Sequence, residues 1–150
     1  MIVYEYGDLL ESDCDMKCHQ VNCKGKMGAG IALKIKNKYP YVYDRYRDLC
    51  NTDRNLLGEV QFLYVDDCIV VNMFAQYGYG RYGVYTDYNA FEKCVSAIKL
   101  YAEKYNYSVG FPYKIGCGLA GGDWEIVLKI IKKYFENSKV LCKIIEYKEV

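Results

Sequence analysis

The sequence predicts an α/β protein in which a sheet lies between layers of helix, and three observations carry that prediction. Strand-like and helix-like hydrophobic patterns alternate along the whole chain of 150 residues. One run, Ile69-Val70-Val71, is continuously apolar, as in a central strand covered on both faces. Glycine-rich segments, Gly28-Ala29-Gly30 and Gly116-Cys117-Gly118, lie where strand pattern gives way to helix pattern. Ligands of such sheets sit beyond the carboxyl ends of the strands.

The elements follow in order. Residues 2–6 read as a strand that ends at Gly7-Asp8, and 16–21 as a second short strand. A helix is expected over 29–38, with Ile31 and Ile35 on one face and Lys34, Lys36 and Lys38 largely elsewhere. Pro40 breaks or restarts it, and Tyr43, Tyr46 and Leu49 carry the helical spacing on. Residues 58–64 and 69–74 read as strands joined by a tight turn at Asp66-Asp67. A loop rich in tyrosine and glycine, with Arg81, covers 76–85, after which Thr86 or Asp87 caps a helix. The buried stripe of that helix is Phe91, Val95, Ile98, Ala102 and Tyr105. A strand at 107–112 follows. Asp123 caps a last helix whose inner face is Val127, Ile130, Ile131 and Tyr134, and residues 139–147 form the closing strand.

Composition narrows the function. The length suits one domain over 1–150, and an apolar share of 52% argues against disorder. A net charge of +1 is no bulk nucleic-acid footprint. No apolar run approaches the roughly 20 residues of a membrane helix, and the first ten residues lack a basic n-region and a cleavage site, so a cytoplasmic protein is expected. The eight cysteines are read as reduced, with Cys68, Cys94 and Cys142 at positions that suit a small core residue. Cys14, Cys18, His19 and Cys23 lack the paired spacing of a zinc site, and adjacent strand residues point to opposite faces, so no metal is expected.

The two glycine-rich loops carry the chemistry. Glycine lets backbone approach a ligand and aim free N–H groups at it, which suits an anion such as a diphosphate. The dinucleotide fingerprint GxGxxG and the P-loop GxxxxGK[ST] are both absent.

Four blocks in order resemble the macro domain family, the ADP-ribose-binding fold. They are Gly7-Asp8-Leu9, then Val21-Asn22 through Met27-Gly28-Ala29-Gly30-Ile31-Ala32, then Ile115-Gly116-Cys117-Gly118-Leu119 with Asp123-Trp124, then a terminal strand ending in Tyr147. The resemblance covers nearly the whole chain and implies a three-layer α/β/α fold with a mixed central sheet. It also implies roles. Asp8 accepts from the adenine amino group, assisted by the Leu9 backbone, and Tyr147 packs on the adenine. Asn22 holds the distal ribose hydroxyls. Backbone amides around Gly28, Gly30 and Ile31, and from Gly116 through Cys117, Gly118 and Leu119 to Ala120, hold the diphosphate and enclose the distal ribose. No cofactor is implied.

Three branches are similar: ADP-ribose-1″-phosphate phosphatases, terminal ADP-ribose glutamate hydrolases, and antitoxin macro domains that strip ADP-ribose from DNA. Hydrolases of the last two use a lysine after the fourth strand, where this chain reads Val71-Asn72-Met73-Phe74-Ala75-Gln76. The glutamate-directed branch has an aspartate where Ala120 stands. Both departures lean toward a chain that binds without turnover; the leading expectation is nonetheless hydrolysis at the 1″ position, as in dephosphorylation of ADP-ribose-1″-phosphate. The alternatives are removal of ADP-ribose from protein or nucleic acid, with Lys24, Lys26 and Arg81 as a basic edge for the latter, and a non-catalytic reader or sink.

Among catalytic candidates beside Asn22, His19 is either a core histidine or a general acid or base near the distal ribose. Asp87 either activates a water or simply supplies first-turn helix charge. Cys117, with no evident base nearby in sequence, is read as a small filler of the tight loop.

Overall fold

The computed structural model describes residues 1–149. Six strands form one sheet: β1 (Ile2–Gly7), β2 (Met16–Asn22), β3 (Val60–Tyr64), β4 (Ile69–Gln76), β5 (Val109–Pro112) and β6 (Cys142–Tyr147). Their order is β1-β6-β5-β2-β4-β3. Every neighbouring pair is parallel except β3 with β4, so the sheet is mixed, as expected.

Four helices cover the two faces: α1 (Gly30–Lys38), α2 (Pro40–Cys50), α3 (Tyr88–Tyr105) and α4 (Trp124–Phe135). Period-two alternation divides the sheet residues between two cores. Met16, Cys18, Val71, Met73, Val109 and Phe111 face α3 and α4, where Phe91, Val95, Ile98, Val127 and Ile131 meet them. Val21, Val70 and Phe74 face the other way, onto Ile35 of α1 and Val42 and Tyr46 of α2. The result is the three-layer α/β/α sandwich. Pro40 does restart the helix, at the first turn of α2, where a missing N–H costs nothing.

Two interior expectations are corrected. Tyr105 is 46% exposed and joins a surface group with Tyr101 and Tyr107; the stripe of α3 ends at Ala102. In α4 Phe135 joins Val127 and Ile131 as fully buried, while Tyr134 turns its hydroxyl outward to Glu92 at 2.8 Å. Strand β5 begins at Val109, two residues later than its pattern suggested. A 3₁₀ turn at Leu9–Glu11, not anticipated, follows β1 and is capped by Asp8. Lys17, buried in β2, anchors that turn by donating to the Leu10 carbonyl at 2.8 Å.

No helix is long and apolar enough to cross a membrane among the described residues.

Candidate functional site

Three cavities run end to end along the carboxyl edge of the sheet. The first, of about 230 Å³, has Asp8, Leu9, Lys34, Ile145 and Tyr147 in its wall. The middle one, about 270 Å³, lies between the α1 start and the loop after β5. Gly30, Ile31, Pro112 and Tyr113 belong to both. The third, about 450 Å³, shares Gln20, Ala29, Gln76, Leu119 and Ala120 with the middle one and adds Asn22, Lys26, Tyr79 and Arg81. Together they make one continuous groove with chemically distinct ends.

At the first end, Asp8 is half-buried, and its Oδ1 accepts from Leu10 N at 2.9 Å. This cap leaves the second carboxylate oxygen for the cavity. Tyr147 is 58% exposed, and the ammonium of Lys34 sits 3.7 Å from its ring centroid. Lys34 is thus a wall residue that its helical periodicity alone did not reveal.

The middle is lined by backbone donors. Helix α1 has Ala29 as its N-cap with no side-chain capping bond, so its first-turn amides stay open. Among the described residues the N–H groups of Gly28, Ala29, Gly30, Ile31 and Ala32 find no protein acceptor, and the same holds for Gly116, Gly118, Leu119 and Ala120. The second loop supplies its donors in another way, and Asp123 caps the helix after it as expected. The start of α4 is closed by Asp123, whose side chain accepts from Glu125 N, so this loop offers free loop amides and, of the two helix starts beside the groove, α1 alone is uncapped by a side chain. Aligned N–H dipoles at that end favour negative charge.

Side chains beneath the groove tie the loops together. Gln76 Nε2 donates to Gly78 O at 2.8 Å, and its Oε1 accepts from Gln20 Nε2 at 2.9 Å. The same Gln20 nitrogen reaches Thr86 Oγ1 at 2.9 Å, and that hydroxyl donates to Gly116 O at 2.6 Å. Gly116 has φ +75°, and a Cβ there would lie 2.8 Å from Gln20 Oε1, so the turn requires glycine. Neither Gln20 nor Gln76 stood out in the sequence. The available signal was position: each lies at or near the carboxyl end of a central strand.

Asn22 lines the third cavity at a break in the β2–β4 register. Its Oδ1 accepts from Lys24 N at 3.0 Å, Lys26 N at 3.3 Å and the buried Tyr46 hydroxyl at 2.8 Å, while Nδ2 donates to Lys26 O at 2.9 Å. It folds the loop, with one amide hydrogen left for a ligand.

The structure brings Asp8, Leu9, Asn22, Gly28, Gly30, Ile31, Gly116, Gly118, Leu119, Ala120 and Tyr147 to the groove. It leaves three candidates outside the lining. His19 is fully buried on the α1–α2 side of the sheet, against Asn72. Asp87 caps α3 by accepting from Ala90 N at 2.9 Å. The Cys117 side chain packs toward the α3–α4 core, and burial pushes its thiol up to about 11. Among the described residues no carboxylate and no histidine lines the third cavity. Its charged lining groups are Lys26 and Arg81, neither within ion-pair distance of a carboxylate among the described residues.

Known proteins share this architecture. Over 142 residues the chain is 30% identical to the ADP-ribose glycohydrolase OARD1 of Bos taurus, covering 93% of this chain and 87% of that one. It is 40% identical over 60 residues to a DNA ADP-ribosyl glycohydrolase of Mycobacterium tuberculosis, covering 40% of this chain and 17% of the relative. An ADP-ribose 1″-phosphate phosphatase of Aspergillus clavatus is 39% identical over 61 residues, 40% of this chain and 29% of that one. The chain thus spans less than a third of the length of these last two relatives. The macrodomain of Mycobacterium tuberculosis DarG superposes with a TM-score of 0.84 at 26% identity, covering 97% of each chain. The Macro domain family model matches residues 18–131, and with the groove in the same fold, the chain belongs to the Macro domain family.

Proposed function

We propose that this chain binds ADP-ribose along the groove and hydrolyses the 1″-phosphate of ADP-ribose-1″-phosphate. The base enters the Asp8–Tyr147 end, the diphosphate meets the open amides of α1 and of the loop after β5, and the distal ribose enters beside Asn22. The observation that carries the reading is the charge of the third cavity, whose ionised lining groups, Lys26 and Arg81, are both cationic. An anionic 1″ substituent suits that lining. The phosphatase of Aspergillus clavatus acts on such a compound by its name.

The chemistry asks little of a base. Phosphoryl transfer passes through a loose transition state with charge spread over the equatorial oxygens, so positioning and electrostatic stabilisation supply most of the catalysis. Water attacks phosphorus, the bond from phosphorus to the 1″ oxygen breaks, and that oxygen leaves as the ribose hydroxyl. One proton of the attacking water passes by way of a phosphate oxygen to the departing 1″ oxygen, and the other stays on the released hydrogen phosphate. Lys26 and Arg81 stabilise the spreading charge, with Arg81 suited to bidentate contact. Neither His19 nor Asp87 has a part in this mechanism. Thiols filling the core at Cys18, Cys94 and Cys142 accord with a reducing, cytoplasmic setting.

A second reading is removal of ADP-ribose from nucleic acid. It is favoured by Tyr79 in the wall of the third cavity, by Tyr77 and Tyr82 on the same loop, all three more than half exposed, and by Lys24, 4.3 Å from the Tyr77 ring centroid. Purified protein given ADP-ribose-1″-phosphate, an ADP-ribosylated oligonucleotide and an ADP-ribosylated protein decides between them. Phosphate release that falls about tenfold or more in Arg81→Ala is expected. Cleavage of either macromolecular conjugate without phosphate release overturns the phosphatase reading, and tight binding of ADP-ribose with no turnover makes the chain a reader.

A further inference from the structure

We infer that Tyr85 is a positioning residue that holds Arg81 toward the 1″-phosphate subsite. The inference rests on the assignment of the third cavity to that phosphate. Arg81 rides on the loop between β4 and α3 with glycines on either side of it at Gly80 and Gly83. Such a loop has no stiffness of its own, because glycine restricts its backbone least. An exposed guanidinium on it loses much of its value unless something fixes the turn, since the ordering entropy is otherwise paid on binding.

Tyr85 supplies that fixation from inside the loop. Its hydroxyl donates to the Tyr82 carbonyl at 3.0 Å, closing the turn just after Arg81. Its ring fills the place where a side chain at Gly80 would stand: an ideal Cβ there lies 2.1 Å from the Tyr85 hydroxyl and 2.7 Å from Cζ. Gly80 is therefore glycine because the Tyr85 ring lies against its backbone, just before Arg81. The base of the splint is anchored as well. Tyr85 N donates to Ala120 O at 2.7 Å and Thr86 N to the same oxygen at 3.2 Å. On the facing loop, a Cβ at Gly121 would lie 2.3 Å from Gly83 O. The Arg81 turn is thus referenced to the amide-bearing loop that contains Ala120, which also lines the cavity. Tyr85 itself does not line the cavity and touches no reacting atom.

A positioning role differs from a general structural one in which ligand feels its loss. ADP-ribose lacks the 1″-phosphate, so its binding does not depend on where Arg81 points. The probes are ADP-ribose-1″-phosphate, followed by kcat/KM for phosphate release or by equilibrium binding if none is released, and ADP-ribose, followed by its inhibition or binding constant. Tyr85→Phe keeps the ring and removes one hydrogen bond. It is expected to lower the preference for the phosphorylated ligand about fivefold and to leave ADP-ribose within about twofold. Tyr85→Ala, which also empties the space beside Gly80, lowers the preference further. In an Arg81→Ala background Tyr85→Phe adds nothing, because the group it positions is gone. Equal losses for both ligands, or an undiminished effect of Tyr85→Phe without Arg81, overturn the inference. Failure of the wild-type chain to bind ADP-ribose at all refutes the underlying functional reading instead.

Discussion

His19 Nε2 stands 2.5 Å from Asn72 Oδ1, directly across the β2–β4 ladder, and neither residue reaches solvent. Asn72 Nδ2 donates to Gln61 Oε1 at 3.0 Å, and Gln61 Nε2 to Arg45 O at 3.2 Å. This chain of amides fixes Asn72 Oδ1 as an acceptor, so the neutral imidazole carries its proton on Nε2. Nδ1 is left buried without a partner.

Burial lowers the pKa of His19 to about 4 from its ordinary 6.5, with the Asn72 hydrogen bond opposing the shift. The unfolded chain therefore binds a proton that the folded chain refuses between those values. Stability is full above pH 6.5 and falls as the pH drops toward 4, by about 3 kcal/mol in all. Chemical denaturation of wild type and His19→Gln across pH 4 to 7 checks this. The wild type is expected to show the steeper loss below pH 6.5, and equal slopes refute the assignment.

Tyr46 ties the floor of the third cavity to α2. Its one hydroxyl hydrogen is shared between Asn22 O at 2.6 Å and Asn22 Oδ1 at 2.8 Å, inside a fully buried ring environment. Tyr46→Phe removes both bonds and leaves Asn22 O without that donor, so a loss of about 1–3 kcal/mol in stability is expected. Ligand affinity falls with it, because Asn22 folds the loop that begins the groove. Thermal unfolding together with ADP-ribose titration measures both effects, and an unchanged affinity in Tyr46→Phe contradicts the link.

Much of this site was legible because it is made of backbone. An open helix start and a glycine turn show themselves as small residues at a strand-to-helix junction, and Gly28, Gly30, Gly116 and Gly118 marked both loops. Asp8 and Tyr147 were legible only through the order of the blocks. What escaped depends on which way a side chain turns at a strand end. His19 and Asn22 are three residues apart, and the register break beside Asn22 sends one into the groove while leaving the other in the core. Gln20 and Gln76 looked like ordinary polar strand ends, since their pairing needs the β2–β4 register to appear. Tyr105 and Tyr134 misled for a related reason: tyrosine satisfies a helical stripe and a half-exposed site equally well.

Asp8 gives a prediction about base choice. Its Oδ1 is committed to Leu10 N, and asparagine caps as well as aspartate does. In Asp8→Asn the carbonyl oxygen must keep the cap, so the amide nitrogen turns to the cavity. A donor then faces the base where an acceptor stood. Stability is expected to change by only a few tenths of a kcal/mol. Affinity for ADP-ribose drops about tenfold or more, while the hypoxanthine analogue, with a carbonyl in place of the amino group, is hurt less. Calorimetric titration of both nucleotides checks the reversal, and an unchanged ratio shows that Asp8 does not read the base.

Gly28 and Gly116 separate ligand contact from loop architecture. A Cβ built on Gly28 meets nothing within 4 Å, and its φ is not positive. Gly28→Ala is thus free of strain, and by shortening the unfolded chain's conformational freedom it leaves stability level or raises it by up to about 1 kcal/mol. The added methyl nonetheless occupies the space over the open amides of α1, so ADP-ribose binding is expected to fall sharply. Gly116→Ala behaves in the opposite order. Its φ of +75° disfavours any side chain, and the new Cβ meets Gln20 Oε1 at 2.8 Å and Thr86 Oγ1 at 3.1 Å. It strains the amide network beneath the groove and costs about 1–3 kcal/mol before any ligand is added. Thermal unfolding without nucleotide, followed by titration with ADP-ribose, distinguishes the two. A Gly28→Ala protein that is stable and still binds at the wild-type level means that the diphosphate does not lie against α1.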